Sequence, residues 1–145
     1  MATRMTAAEL VNSQNRKSKP RDIEGPIHRS ILAHLRLVLP KGSIVHHSPN
    51  AIGLSGIQVM KQIARDKAMG TVKGFPDLLC LLPGPRVWAF EVKAPGNHPD
   101  KDQRELHETM RAQGIRVAVV RSIKDVDEAV AQWTVEGTGQ WGMQK

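Results

Sequence analysis

Asp77, Glu91 and Lys93 stand where the chain is otherwise almost wholly apolar, and the segments that carry them are close enough in sequence to fold onto one another. Asp77 to Leu82 is a nearly continuous apolar run, Pro83-Gly84-Pro85 breaks it, and Val87 to Lys93 is a second run. Two such runs around a tight Pro-Gly turn predict a β-hairpin. Alternation along its second strand puts Val87, Ala89, Glu91 and Lys93 on one face. With the turn centred near Gly84, cross-strand partners sum to about 168 to 169, so Asp77 falls opposite Glu91 or its immediate neighbour, with Cβ atoms roughly 5 Å apart in a directly opposed pair.

Two carboxylates meeting on an apolar hairpin need compensation, because unpaired buried charge is strongly disfavoured. A hard divalent cation supplies it: magnesium takes one or two carboxylates, keeps several waters and accepts phosphate oxygens in its remaining positions. The lysine would then orient or deprotonate a water, or stabilise charge building on a phosphate. The plainer alternative is a surface hairpin with a cross-strand ion pair, and an isolated Glu-X-Lys deserves no more than that. Here Asp77 follows Gly-Phe-Pro, opens a hydrophobic strand and lies one turn away from Glu91 and Lys93.

The rest of the chain must position this hairpin. Ile23, Ile27, Ile31, Leu35 and Val38 recur at helical spacing between Asp22 and Leu39, with Asp22 as N-cap, Pro26 in the first turn and Pro40 after the end. Glu24 shares that inward stripe, an expensive place for a carboxylate unless a partner or the helix dipole offsets it. Ser43 to His47 reads as a short strand, Ser48 to Gly53 as a turn, and Ile57 to Met69 as a second helix stopped by Gly70. After the hairpin, Pro99 suits the first position of a helix running to about Gln113, with Asp100 and Asp102 near its positive end and Gly114 as its stop. Gln103 shares a face with Leu106 and Met110, so it either points inward or caps a backbone group at the helix edge. Ile115 to Val120 is a uniformly apolar strand, and Ser122 with Asp125 caps a last helix bearing Ile123, Val126, Val130 and Trp133. The order predicts an α/β fold, a central mixed sheet flanked by helices. Residues 1 to 20 read as a flexible basic arm with a short Thr6/Glu9 capping pattern, residues 21 to 134 as the domain, and 135 to 145, with glycines, as a flexible tail.

Composition narrows the partners. The net charge of +7 is uneven: residues 1 to 74 carry twelve Lys/Arg against four Asp/Glu, a balance of +8, and residues 75 to 145 carry nine against ten, or −1. A basic half beside an acidic cluster suits a protein that attracts a polyanion and holds a cation against it, although a solvated basic face would give the same count. Five aromatic residues and no tyrosine leave few stacking platforms for single-stranded bases. The single cysteine, Cys80, has no disulfide partner within the chain, which points to a reducing, cytoplasmic setting. No apolar stretch reaches bilayer length, so no membrane is expected. The six histidines show no zinc-ligand spacing, and zinc is not expected. His46, His47 and Asn50 fall before the second helix; they are satisfied loop residues or DNA contacts. Lys61, Arg65, Lys67 and Lys73 either line a route for phosphates to Asp77 or solvate a helix.

Gly74-Phe75-Pro76-Asp77, Glu91-Val92-Lys93, Gln103 on the next helix and a strand ending Val-Val-Arg-Ser together resemble the VRR-NUC (virus-type replication-repair nuclease) branch of the PD-(D/E)XK nuclease superfamily, over about residues 22 to 133. The resemblance implies a restriction-endonuclease-like αβββαβ core. It implies that Asp77 and Glu91 bind Mg²⁺ or Mn²⁺ with the backbone carbonyl of Val92, that Glu24 supports the metal or its water shell, that Lys93 is the catalytic lysine, and that Gln103 orients Lys93 or a water. It further implies a DNA endonuclease, similar to phage-type Holliday-junction resolvases, that is homodimeric and selective for branched DNA. The alternative is a nucleic-acid-binding or adaptor protein that keeps the fold without turnover, against which the intact Asp, Glu and Lys set argues.

Overall fold

The computed structural model describes residues 21–49 and 56–141, with side chains as far as Gly137. Its elements are α1 (Glu24–Val38), β1 (Ile44–His47), α2 (Ile57–Ala68), β2 (Leu78–Leu82), β3 (Arg86–Val92), α3 (Lys101–Ala112), β4 (Arg116–Val120) and α4 (Ile123–Trp141). The strands form one sheet in the order β1-β2-β3-β4. β1 pairs with β2 and β2 with β3, each antiparallel, and β3 pairs with β4 in parallel across the α3 crossover. This is the mixed sheet expected from the sequence, with α2 inserted between its first two strands.

Strand alternation sorts the sheet's two faces. Leu78, Cys80, Leu82, Trp88, Phe90, Val92 and Val120 project towards α1 and α4, where they pack with Ile31, Leu35, Leu39, Val126 and Trp133. Trp133 lies against both Trp88 and Phe90, at 5.3 Å between ring centroids in each case, within the range of favourable aromatic pairs. Cys80 is sealed in this core, and burial pushes its thiol up to about 12, so it is an inert apolar filler. Across the sheet, Ala89 and Val117 pack under Met110 of α3, with Leu79, Leu106 and Ile115 around them. Glu91 belongs to this second, smaller face, because it is one pleat on from Ala89.

Three boundaries differ from the sequence reading. Pro99 precedes α3 instead of opening it: Asp100 is the N-cap, its carboxylate accepting from the Gln103 N–H at 2.9 Å. Asp22 does act as a cap, accepting from the Gly25 N–H at 2.9 Å, but the helix itself opens at Glu24. The last helix does not stop at Thr134 but continues to Trp141. Its added turns are tied by Thr134 Oγ1 donating to the Val130 carbonyl at 2.7 Å, by Gln132 donating to Glu136 at 3.0 Å, and by an Arg116–Glu136 ion pair at 2.7 Å. Residues 1–20, 50–55, Asn50 among them, and 142–145 lie outside the described residues, and with them the arm and most of the turn expected from the sequence.

Candidate active site

The hairpin register decides where the acids meet. Leu78 pairs with Phe90 and each further pair keeps the same sum, 168, so Asp77, the residue before β2, is placed opposite Glu91. Asp77 is held by its own side chain, Oδ2 accepting from the Val92 N–H at 2.8 Å. Its main-chain carbonyl accepts from the Ser48 N–H at 2.8 Å and lies 3.2 Å from His47 Nδ1, which ties the end of β1 to the site. Asp77 is 7% exposed and Glu91 is wholly buried. Burial first, and then the Glu91 charge, push the Asp77 carboxyl up to about 6, against the opposing pull of the Val92 hydrogen bond and of Lys93.

Glu91 is gripped on one oxygen. Its Oε1 accepts from Gln103 Nε2 at 2.6 Å and lies 3.0 Å from Lys93 Nζ. Among the described residues its Oε2 is buried without a hydrogen-bond partner, facing His107 Nε2 at 3.6 Å, and that nitrogen is likewise buried and unbonded. For Lys93, burial works to lower the pKa, but the hydrogen bond to Glu91 and the charges of Glu91, Glu24 and Asp77 raise it overall, so the amine is firmly a cation.

Gln103 settles a choice that the sequence left open by taking both roles. Its Oε1 accepts from the Asp100 N–H at 2.9 Å, completing a capping box, while its Nε2 reaches Glu91. The loop before Asp77 is pressed onto the same helix end. Gly74 has φ of +81°, and a Cβ there would meet backbone atoms of Asp102 and Gln103 at 2.7 to 2.8 Å. Lys73, beside it, is paired with Asp102 at 2.5 Å, and that contact raises the lysine and lowers the aspartate in pKa.

Glu24 is half-buried in the first turn of α1. Its charge is felt at Asp77, Lys93 and His28, yet among the described residues no three acid, imidazole or thiol side chains converge tightly enough to close a cage on one ion. His47 packs edge-on against His28 at 4.7 Å between centroids. Lys61, Arg65 and Lys67 lie exposed on α2, which among the described residues has no buried side chain. The sequence reading brought Asp77, Glu91, Lys93 and Gln103 together and missed His107. The signal was present: His107 follows Gln103 by four residues, on the face marked by Leu106 and Met110.

A cation fits this donor set. Two buried carboxylates stand opposite one another, one with an oxygen lacking any hydrogen bond, and one lysine is the balancing charge beside them. Two carboxylates, with the rest of a shell open to water and phosphate, is a donor set that a hard divalent ion such as magnesium accepts.

The family model of the VRR-NUC domain matches residues 19–124. A solved structure described as a VRR_NUC domain is 28% identical, with a TM-score of 0.51 over 74% of this chain and 94% of that one. A second, a VRR_NUC domain protein, has a TM-score of 0.58 over 79% of this chain and 89% of that one; at 21% identity it speaks for the fold alone. No curated protein matches the chain.

Proposed function

The chain belongs to the VRR-NUC domain family, and from that premise and the geometry of the site we propose that it is a Mg²⁺- or Mn²⁺-dependent DNA endonuclease of PD-(D/E)XK type. The observation that carries the reading is the buried Asp77–Glu91 carboxylate pair beside the Lys93 cation.

Asp77, Glu91 and the Val92 carbonyl would hold the metal. Val92 donates its N–H to Asp77, and in an extended hydrogen-bonding residue the N–H and C=O leave the strand on the same side, so its carbonyl is directed towards the same place. When bound, the cation would offset the two carboxylates, accept phosphate oxygens and ease ionisation of a water. Glu24, whose charge reaches both Asp77 and Lys93, would support the metal or its water shell. Lys93, 3.0 Å from Glu91, stabilises charge on the scissile phosphate and handles the attacking water. Gln103 and the α3 N-terminus keep Glu91 in place. Lys61, Arg65, Lys67 and Lys73, with His47 and Asn50, would contact the phosphate backbone on the approach to Asp77.

The basic half attracts DNA through its phosphates, whatever the sequence and with no base contact required. Selection by DNA shape in a homodimer, on branched substrates such as four-way junctions in replication, recombination or repair, fits that economy. Cleavage of junction, flap, single-stranded and duplex DNA, with and without chelator, tests the reading. Junction cleavage that stops with EDTA and in Lys93→Ala supports it; activity indifferent to both overturns the mechanism. A strict monomer in sedimentation, on and off DNA, removes the dimeric version.

A further inference from the structure

We propose that His107 is a positioning residue for Glu91, its Nε2–H directed at Oε2, so that α3 grips both oxygens of the carboxylate from one face. The inference rests on the metal-site reading above. His107 is 1% exposed and lies one helical turn after Gln103 on α3. Residues four apart on a helix present side chains to the same neighbour, and here that neighbour is Glu91: Gln103 Nε2 takes Oε1 at 2.6 Å, and His107 Nε2 faces Oε2 at 3.6 Å. Both facing atoms are buried and neither has another hydrogen bond.

A buried polar group left unsatisfied is disfavoured, and here two stand face to face. The gap is about 0.6 Å beyond an ordinary N–H···O distance, within reach of a small side-chain rotation. An imidazole facing a carboxylate must carry its proton on the facing nitrogen; the other tautomer would set lone pair against lone pair. A carboxylate oriented this way from behind presents its remaining lone pairs to a cation, and loss of such an orienting partner typically weakens metal binding about 10- to 100-fold.

The test uses the full chain and Mn²⁺ alone, titrated by calorimetry into the wild type, His107→Leu, His107→Gln and Glu91→Gln, with far-UV circular dichroism to establish folding. His107→Leu, which cannot donate, is expected to bind Mn²⁺ about 10- to 100-fold more weakly, and His107→Gln, which can, to recover most of that loss. Long-range ¹⁵N–¹H spectra of the metal-free wild type, which require no variant to fold, are expected to place the proton on Nε2. An Nδ1–H tautomer, or His107→Leu binding Mn²⁺ as the wild type does while Glu91→Gln does not, overturns the inference and leaves the metal site standing. Wild-type protein that takes up no Mn²⁺, or Glu91→Gln that binds it unchanged, overturns the metal-site reading and this inference together.

Discussion

Asp77 is a residue that the fold holds at a cost. Its carboxyl sits at about 6 against an ordinary 3.8, through burial and the Glu91 charge, so between those two pH values the native protein retains a proton that the unfolded chain has released. The native state then binds more protons, and the stability of the metal-free protein falls as pH rises through that window. Above it the full penalty stands. Asp77→Asn removes the charge and keeps an oxygen for the Val92 N–H. In chelator at pH 7.5 the variant is expected to melt roughly 3 °C above the wild type, as about 1 kcal/mol would give in a domain of this size. The difference should vanish near pH 4, and cleavage should be lost at every pH. A melting temperature below wild type at pH 7.5, in thermal scans of both proteins, contradicts the account of Asp77. A gain in stability at the expense of function is the pattern of a site kept strained for chemistry.

The elements position these residues through one helix end. Gln103 bonds the Asp100 N–H and Glu91 at once, so Gln103→Glu separates the two roles. Glutamate still completes the capping box but sets a third carboxylate against Glu91. Helix content by circular dichroism should hold while cleavage falls at least about 10-fold, one missing or repulsive polar interaction being worth on the order of 1.5 kcal/mol; equal activity would show that Gln103 serves the helix alone. Gly74→Ala acts on the other side of the contact, where a Cβ would strike the backbone of Asp102 and Gln103 and the positive φ disfavours any side chain. It should lower stability by about 1–3 kcal/mol in urea denaturation, and an unchanged midpoint would mean that the loop does not rest on α3.

Much of this is legible in the sequence. Alternation along Val87 to Lys93 and the tight Pro-Gly turn place Asp77 across from Glu91, and the register comes out at one of the two sums expected. Glu24 is identifiable as a carboxylate on an apolar stripe. What escapes are pairings between distant segments: His107 facing Glu91, Gly74 against α3, and the Arg116–Glu136 pair that ties α4 to β4 beyond Trp133. Local periodicity gives the face of an element, and the partner opposite that face comes only from tertiary packing. Gln103 is ambiguous for a different reason, since an amide can donate and accept at once.

Across the whole molecule, charge and shape divide the work. The positive balance lies in residues 1 to 74, and its described part includes α2, whose Lys61, Arg65 and Lys67 are exposed. The acids gather on the sheet and α3. DNA drawn to α2 would meet the carboxylate pair where a cation can bridge the two charges. Binding of junction DNA by the Lys93→Ala protein should weaken steeply with salt, and replacing Lys61, Arg65 and Lys67 together with alanine should flatten the plot of log K against log salt by about 1 for each phosphate that is no longer neutralised. An unaltered slope would place the DNA on another face. Among the described residues no helix is long and apolar enough to cross a membrane.

The central claim is that Asp77 and Glu91 together hold a divalent cation. Anomalous diffraction from Mn²⁺-soaked crystals tests it most directly. The account predicts a peak between the two carboxylates, about 2.0–2.2 Å from an oxygen of each, the ordinary reach of a small divalent ion, and no such peak in Glu91→Gln. Manganese bound elsewhere, or a well-ordered Asp77–Glu91 pair with no peak between them at saturating Mn²⁺, would contradict it.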